Sequence, residues 1–419
     1  MGGRPPTTAP ARAPFDAAIT GIGMVTAAGV GVERSWERIR AGAGTAATDV
    51  PALAGIPADF ACAVTDFDPS GLIERKQAWR LDRSSQLAMV AAHEAVTDSG
   101  LDRDSWDATR VGVILGNGIG GATTWEKQHK VLLERGARKV SPLLVPMLSP
   151  NMCAGYVSMM FGARGPSLVT ATACASGTTA VGMARELLRS GACDVVITGG
   201  TEAPLVPSLI TGFGQMRALA GRRDDLSATS RPFDADRDGF VPAEGAAVLV
   251  LERAEDARAR GATIRAMVSG YGASADAFHA TAPDPDGGGA ELAVRAALRD
   301  AGVGPGEVDH VNAHGTATVL NDATEARMIR RVLGERPAVT SVKGVVGHSL
   351  AAAGAIEAVV TALALQEGHI PPTANLESLD PELELDMVFK AGRDLRAEVA
   401  VSNSFGFGGQ NAVLLFTRA

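Results

Sequence analysis

The sequence predicts a layered α/β protein built from two similar halves. Short apolar segments typical of buried strands alternate with longer segments of helical periodicity, which is the order expected when strands and helices form separate layers. Two strands, one opening each half, end in a Gly-x-Gly triplet, Gly21–Gly23 and Gly270–Gly272. Each half also carries a helix that stops just before a glycine, Gly191 in the first half and Gly368 in the second. The repeated order predicts a duplicated body.

The individual elements follow from local patterns. In the first half, apolar runs predict strands and a 3.6-residue period predicts one helix, in the order strand 17–25, strand 111–116, strand 168–173, helix 177–188, strand 195–198 and strand 246–252. In the second half the same criteria predict strand 263–271, helix 287–301, strand 308–313, strand 338–342, helix 350–366 and strand 399–402.

Three further segments complete the organisation. Residues 1–14 are rich in Pro, Thr, Ala and Arg and are predicted to be a disordered tail. The halves are expected to span 15–258, with the nucleophile, and 259–419, with two functional histidines. The charged segment 221–237 is expected to be a surface excursion.

Composition excludes several classes of protein. With 46% hydrophobic and 21% charged residues the chain is ordinary for a globular protein, and a net charge of −8 argues against a general nucleic-acid binder. The apolar segment 350–365 is interrupted by Glu357, so no membrane span is expected. Four cysteines without a CxxC or metal-like spacing predict reduced thiols in the cytoplasm and no metal site; they are Cys62, Cys153, Cys174 and Cys193.

Cys174 is the strongest candidate nucleophile. It stands between a predicted strand and a predicted helix, and its neighbours Ala173, Ala175 and Gly177 leave room for a substrate. A helix N-terminus favours thiolate over thiol, and the backbone N–H of Cys174 can face a developing oxyanion. The alternative is a buried structural cysteine, which is the commoner case and the interpretation given to the other three.

Two histidines lie in settings that suit catalysis. His314 ends a predicted strand, where a side chain faces a cleft, and His348 precedes the Ala-rich helix as Cys174 precedes its own. If the halves pack about a pseudo-twofold axis, these helix starts meet at the centre. Neutral imidazoles there can hold a thioester carbonyl and stabilise an enolate, and Lys343 can hold an acidic neighbour and orient an imidazole. The alternative is a structural role, as assigned to His93, His129, His279, His310 and His369.

The glycine-rich segment 403–411 can serve the same site. The N–H of Phe405 is a candidate second oxyanion donor and its ring a candidate gate, although a plain hairpin turn would need the same glycines. The segment 116–121 superficially resembles a dinucleotide loop. It lacks the acidic residue about twenty positions later, so it is interpreted as a tight turn.

Five motifs together carry a resemblance to a known family. They are Thr172–Gly177 (TACASG), Arg231–Asp234 (RPFD) with Asp238–Phe240 (DGF), Asn312–Thr316 (NAHGT), Gly347-His348 with Ala352–Ala355 (AAGA), and Asn403–Gly409 (NSFGFGG). From about Phe15 to Arg418 the chain resembles the β-ketoacyl-[acyl carrier protein] synthases I and II, the elongating condensing enzymes of fatty-acid and polyketide synthesis. The resemblance implies a thiolase-like fold, with two βαβαβαββ halves in a five-layered αβαβα arrangement, usually as a homodimer.

The resemblance also implies roles for individual residues. The catalytic set of the family falls on Cys174, His314 and His348, with Lys343 as supporting lysine, Glu325 as the acid that pairs with it, and Phe405 as gate. The residues implied to contact substrate or its phosphopantetheine arm are Thr316, Thr318, Thr281, Phe407 and Gly408.

The implied reaction is a decarboxylative Claisen condensation between an acyl-Cys174 thioester and a malonyl-carrier protein, by an acyltransferase that needs no cofactor. The implied partner is an acidic acyl carrier protein, for which basic residues are candidate docking groups; they are Arg75, Lys76, Arg80, Arg217, Arg222 and Arg223. A heterodimer with a ketosynthase-like subunit is the alternative to a homodimer.

Departures from the common family pattern concern substrate choice rather than chemistry. Gln410 stands where Thr is common, Val319 where Pro is frequent, and Ser84 where Phe is frequent. These suggest a specialised synthase. Two other functions stay open at this point, a non-catalytic partner subunit and a thiolase-fold acyltransferase or hydrolase that does not decarboxylate.

Overall fold

A computed structural model of the protein describes residues 13–419. The predicted tail, 1–14, lies outside the described residues except for its last two positions. The strands are β1 Ala17–Thr26, β2 Gly29–Val30, β3 Thr48–Asp49, β4 Phe60–Ala61, β5 Val111–Gly116, β6 Ser167–Thr170, β7 Val195–Glu202, β8 Gly245–Arg253, β9 Ala266–Ala275, β10 His310–Asn312, β11 Ala338–Thr340, β12 His369–Ile370, β13 Arg393–Asp394, β14 Val399–Gly406 and β15 Gln410–Thr417. The α-helices are α1 Val32–Ala41, α2 Arg75–Ala78, α3 Arg83–Asp98, α4 Ala122–Arg135, α5 Leu144–Leu148, α6 Met152–Phe161, α7 Ser176–Arg189, α8 Pro207–Gln215, α9 Ala254–Ala259, α10 Gly288–Ala301, α11 Val319–Leu333, α12 Lys343–Val346 and α13 Ala353–Glu367.

The main sheet shows the duplication directly. Its strand order is β11-β10-β14-β15-β9-β1-β8-β7-β5-β6, which reads as two five-stranded wings of matching order placed back to back. In each wing the two outer pairings are parallel and the two inner pairings antiparallel. The wings join where Ala17–Ile19 of β1 pairs with β9. The predicted duplicated α/β fold is therefore confirmed, with the two sheets continuous at this short join.

Helices complete the layers. α7 and α13 lie at the centre, where α7 contacts β5, β7 and β15 and α13 contacts β8, β7 and β14. α3 covers the first wing, and α10 covers the second. The close central packing depends on small residues, because a Cβ on Gly177 would lie 2.8 Å from the backbone N of Ala355.

The apolar segment Leu350–Glu367 is long and apolar enough to cross a membrane by composition alone, yet 89% of it is buried inside the protein. It is the central core helix of the second half. Its Ala-rich sequence is explained by the helix and strands packed around it.

Two sequence predictions need correction. The predicted strand 168–173 ends at Thr170, and a 3₁₀ turn then carries residues 173–175. The segment 221–237 is not wholly a surface excursion, since residues 229–234 are buried. Arg231 and Asp234 pair there at 3.0 Å, and Asp234 also accepts backbone N–H bonds from the segment at 377–378, which offsets the cost of burying both charges.

Candidate active site

Cys174 lies in a tightly held turn at the centre of the molecule. Ala173, which opens the turn, has a φ of 48°, a strained conformation for a residue with a Cβ. Ser176 fixes the turn, because its hydroxyl accepts the N–H of Thr172 at 2.9 Å and donates to the carbonyl of Ala173 at 2.6 Å. Gly406 packs so closely that a Cβ there would lie 3.0 Å from the backbone N of Cys174. The sulfur is thus held at one place between two strand ends.

The protonation state of Cys174 differs from the prediction. Burial raises the pKa of its thiol to about 11, although the charge of Lys343 and an N–H bond from Phe407 pull it down. Desolvation is the largest of the effects on this thiol. The prediction of a favoured thiolate is therefore wrong for the unliganded protein, and the thiol must give its proton to a base when it reacts.

The N–H of Phe407, rather than that of Phe405, acts on the Cys174 thiol and lowers its pKa. The sequence named the N–H of Phe405 as second oxyanion donor; the structure favours Phe407 for that role. β14 ends at Gly406, so Phe407 is the first residue beyond the strand. The Phe405 ring instead packs edge-on against the His314 ring, with centroids 5.8 Å apart. Phe407 faces the cavity, with its ring 6.4 Å from that of Phe213.

His314 follows β10 in a turn held by Glu325. The Glu325 carboxylate accepts the N–H groups of His314 and Gly315, both at 2.8 Å, and the side-chain amide of Asn403 at 3.0 Å. Burial raises the pKa of Glu325 to about 6. This carboxylate fixes the backbone that carries the histidine.

Glu357, not Glu325, is the acid that pairs with Lys343. The Lys343 ammonium contacts the Glu357 carboxylate, donates to the carbonyl of His314 at 2.6 Å, and lies 3.4 Å from the Nδ1 atom of His314. The prediction of Glu325 for this role is wrong, because its oxygens accept two backbone N–H groups and the Asn403 side-chain amide. Glu357, on α13, is buried beside the ammonium, and burial raises the pKa of its carboxyl to about 7.

The two histidines face each other. The ring centroids of His314 and His348 are 5.3 Å apart at an interplanar angle of 85°. Burial lowers the pKa of both imidazoles well below the usual value, and the nearby Lys343 charge lowers it further. Both rings are therefore neutral at physiological pH. Nδ1 of His314 faces an ammonium donor, so its proton resides on Nε2, which is free to donate to a substrate oxygen.

One cavity of about 500 Å³ joins these groups. Cys174, His314, His348 and Phe405 all line it. The prediction that the thiol and both imidazoles share a pocket is therefore met by the geometry. Its lining is predominantly apolar, as expected for a site that takes an acyl chain.

Most of the proposed substrate contacts also reach this cavity. The members of the set that line it are Thr281, Thr316, Thr318 and Phe407. The hydroxyls of Thr316 and Thr318 lie 2.8 Å apart. Gly408 is not among the described residues that line it. It occupies the hairpin turn, with a φ of 80°, and donates its N–H to the carbonyl of Ala280.

The candidate docking residues fall into three groups. Arg217 is exposed and lines the cavity. Arg75 and Lys76 are exposed on α2, whereas Arg80 lies beyond that helix and stacks over Trp79.

The third group is already occupied within the chain. Arg222 binds Asp49 and Asp59, both at 2.7 Å, and Arg223 donates to the carbonyl of Asp236. The two carboxylates neutralise the Arg222 charge, so Arg222 is a poor docking group in this conformation.

Sequence reasoning missed one buried group of this cavity. Glu202, at the end of β7, lines the same cavity as Cys174. The rule that placed His314 at the site, a polar side chain at the end of a buried strand, would have found it.

Comparisons with known proteins agree with this geometry. The family described as "Beta-ketoacyl synthase, N-terminal domain" matches residues 15–257, and "Beta-ketoacyl synthase, C-terminal domain" matches residues 265–377. The chain is 44% identical to "3-oxoacyl-[acyl-carrier-protein] synthase 2" of Staphylococcus aureus over 406 residues, which is 95% of this chain and 100% of that protein.

Solved structures agree in fold. "The ishigamide ketosynthase/chain length factor" superposes with a TM-score of 0.91 at 34% identity, covering 97% of this chain and 100% of that one. A type II polyketide synthase acyl-carrier protein in complex with its ketosynthase gives a TM-score of 0.87 at 31% identity, with 97% and 100% covered. This chain belongs to the β-ketoacyl synthase family, the condensing acyltransferases that elongate chains in fatty-acid or polyketide synthesis.

Proposed function

We propose that this chain uses Cys174 as nucleophile to condense an acyl group with a malonyl unit, both delivered by an acyl carrier protein. The observation that carries the proposal is the shared cavity, in which a thiol, two neutral imidazoles and backbone N–H donors converge. The relative at 44% identity is named 3-oxoacyl-[acyl-carrier-protein] synthase 2, a name that includes the acyl carrier protein.

The first half-reaction loads the nucleophile. The Cys174 thiol gives its proton to a neutral imidazole as sulfur attacks the thioester carbonyl of the incoming acyl group. The N–H groups of Cys174 and Phe407 stabilise the oxyanion. The carrier thiol then leaves with the proton, and an acyl-Cys174 thioester is left.

The second half-reaction forms the carbon–carbon bond. Nε2–H of His314, together with His348, donates hydrogen bonds to the thioester oxygen of the malonyl group. Loss of CO₂ leaves an enolate that these bonds stabilise. The enolate carbon attacks the acyl carbonyl, and the Cys174 thiolate leaves and takes up a proton from solvent. Lys343 keeps His314 in the required tautomer.

The phosphopantetheine arm of the carrier would enter the cavity past threonine hydroxyl groups in the cavity wall. Thr281, Thr316 and Thr318 line the cavity and supply donors and acceptors for phosphopantetheine. Arg217, with Arg75 and Lys76, offers positive charge for an acidic carrier. One related structure holds an acyl-carrier protein on its ketosynthase. We propose no metal or nucleotide requirement, and a cytoplasmic location suits the free thiols.

A second copy of the chain is the proposed partner at the outer edge of the first wing. β6 is the last strand of the sheet there, and its neighbourhood exposes Leu168, Met159 and Met183. An exposed apolar edge strand favours association. A ketosynthase-like partner would cover the same edge, as the pairing of a ketosynthase with a chain length factor in a related structure suggests. The mass of the purified protein in solution distinguishes a homodimer from a monomer that needs a different partner.

The direct test separates the two half-reactions. We expect the purified protein to form an acyl adduct on Cys174 with acyl-carrier protein, and then to release CO₂ and a β-ketoacyl-carrier product with malonyl-carrier protein. Cys174→Ala should lose the adduct and the product. Condensation by Cys174→Ala at the wild-type rate would contradict the proposal.

A further inference from the structure

Glu202 is a buried carboxyl group in the cavity wall that the proposed reaction does not use. It is the last residue of β7, its side chain is 1% exposed, and it lines the same cavity as Cys174. A carboxyl group so placed needs strong partners to be tolerated.

The partners of Glu202 are backbone N–H groups from two separate segments. Oε2 accepts from Gly118 at 2.9 Å and Oε1 from Ile119 at 3.4 Å, both in the turn after β5. Burial raises the pKa of Glu202 to about 8, whereas these two donors and the N–H of Ala351, in the turn before α13, lower it. A Cβ on Gly118 would lie 2.9 Å from Oε2 of Glu202 and 3.6 Å from the Cβ of Ala351, so the two turns meet beside this side chain.

The duplication of the fold gives both halves a 3₁₀ turn of the same conformation. Ala173 and Leu350 open corresponding 3₁₀ turns with φ values of 48° and 50°, ahead of α7 and α13. Cys174 and Ala351 are the second residues of these turns. The N–H of Cys174 is available to the substrate oxyanion, whereas the N–H of Ala351 lies beside the Glu202 carboxyl group.

We propose that Glu202 is a positioning residue that fixes the acyl-binding wall of the cavity by holding the Gly118–Ile119 turn against the Leu350–Ala352 turn. Gly118, Ile119 and Leu350 line the same cavity as the thiol, and in the proposed reaction a chain carried on Cys174 extends along them. This inference rests on the proposed condensing activity and assigns Glu202 no contact with the reacting atoms.

The consequence differs between substrates. A long acyl chain needs the wall in place, whereas an acetyl group and the malonyl unit do not extend along it. Loss of the Glu202 side chain should therefore slow loading of long chains selectively. A misplacement of about 1 Å can cost on the order of 10²-fold in rate, so a loss of at least about tenfold is expected for a long chain.

The experiment compares Glu202→Ala and Glu202→Gln with a matched buried carboxylate, Glu252→Gln. Glu252 is 2% exposed and binds Arg260 and Thr20 outside the cavity. For each protein, the loading of Cys174 from octanoyl- and from acetyl-carrier protein is measured by intact mass, and malonyl decarboxylation by CO₂ release. Melting temperature is recorded alongside.

We expect Glu202→Ala to lower octanoyl loading at least about tenfold while acetyl loading and decarboxylation change less than about threefold. Glu202→Gln, which keeps one acceptor oxygen, should lie between Glu202→Ala and wild type. Glu252→Gln should lower the melting temperature without changing the octanoyl-to-acetyl ratio. If Glu202→Ala does not fold, the same ratio in Glu202→Gln decides.

An unchanged octanoyl-to-acetyl ratio in the Glu202 variants, or a uniform loss in all three assays, would overturn the inference and leave Glu202 a structural residue. Failure of the proposed function looks different, because the wild-type protein would then form no acyl adduct on Cys174 with either substrate.

Discussion

The two halves of the molecule carry near-equivalent turns that have been put to different uses. In the first half, the turn presents a thiol that lines the cavity together with Phe407. In the second half, Ala351 replaces the thiol, and its N–H lowers the pKa of the nearby Glu202 carboxyl group. The backbone geometry is common to both, with positive φ at Ala173 and at Leu350. The comparison teaches that the fold supplies two oxyanion-type sites and that side chains decide which one is open.

The two halves also contribute different ionisable groups to the active site. The second half contributes the buried ammonium of Lys343, the carboxylates of Glu357 and Glu325, and both imidazoles. The first half contributes the nucleophile and the buried carboxyl group of Glu202, which the proposed reaction does not use. The electrostatic work of holding a neutral imidazole and an enolate therefore falls on the second half, and the covalent chemistry on the first.

The largest expected effect comes from moving the thiol between the two turns. Cys174→Ala should lower condensation by at least about 10³-fold, since the covalent intermediate is lost. Adding Ala351→Cys to that variant should restore nothing, because the Glu202 carboxyl group lies beside the N–H of that turn. Product formation from acyl- and malonyl-carrier proteins measures both.

Malonyl decarboxylation is the control for that pair of variants. Both imidazoles are intact in Cys174→Ala, so CO₂ release should persist. Recovery of an acyl adduct on residue 351 in the double variant would break the comparison, because it would mean that the second turn is as open as the first.

The next largest effect concerns the buried charge pair of the second half. Glu357→Gln leaves the Lys343 ammonium without its carboxylate and should cost about 3–5 kcal/mol of folding stability, as removal of one partner of a buried pair does. The double variant Lys343→Met/Glu357→Leu should recover much of that stability. It should stay poor in condensation, because His314 has lost the donor at its Nδ1 atom. Urea unfolding and product formation separate the two.

If the double variant condensed as well as wild type, Lys343 would be dispensable for orienting His314. The charge pair would then be a feature of the core alone.

The roles first given to Glu325 and Phe405 show which features of the site the sequence could not predict. Cys174, His314 and His348 were predictable because each stands where a strand or helix begins or ends, and such positions face the cavity of an α/β fold. The partner of Lys343 was not, because Glu325 and Glu357 both lie on helices near the site, and only the packing of α11 and α13 decides which one meets the ammonium. The donor Phe407 was confused with Phe405 because a shift of two residues along the hairpin is invisible before its register is known.

A smaller loss of activity is expected when the turn that carries Cys174 is crowded by an added side chain. A Cβ on Gly406 would lie 2.7 Å from the carbonyl of Thr172 and 3.0 Å from the backbone N of Cys174. Gly406→Ala must therefore displace the nucleophile turn, and we expect loading of Cys174 to fall by about 10²-fold, the effect of a misplacement of about 1 Å. Gly306→Ala, where a Cβ meets nothing within 4 Å, is the control and should load normally. Normal loading in Gly406→Ala would show that the turn shifts without cost.

The smallest effect distinguishes the two parallel strands that lead to the site. β5 has no titratable side chain, whereas β10 begins with His310, which is fully buried and bonded through Nδ1 to the carbonyl of Ala338 at 2.8 Å. Burial lowers the pKa of His310 to about 4, so the folded protein keeps it neutral where the unfolded chain protonates it. The unfolded state therefore binds more protons between pH 6.5 and about 4, and stability is lost as the pH falls through that window.

We expect wild type to lose about 2 kcal/mol relative to His310→Gln between pH 7 and pH 5. Urea unfolding of both proteins at the two pH values measures the difference, and a difference that does not change with pH would mean that His310 takes up its proton in the folded state.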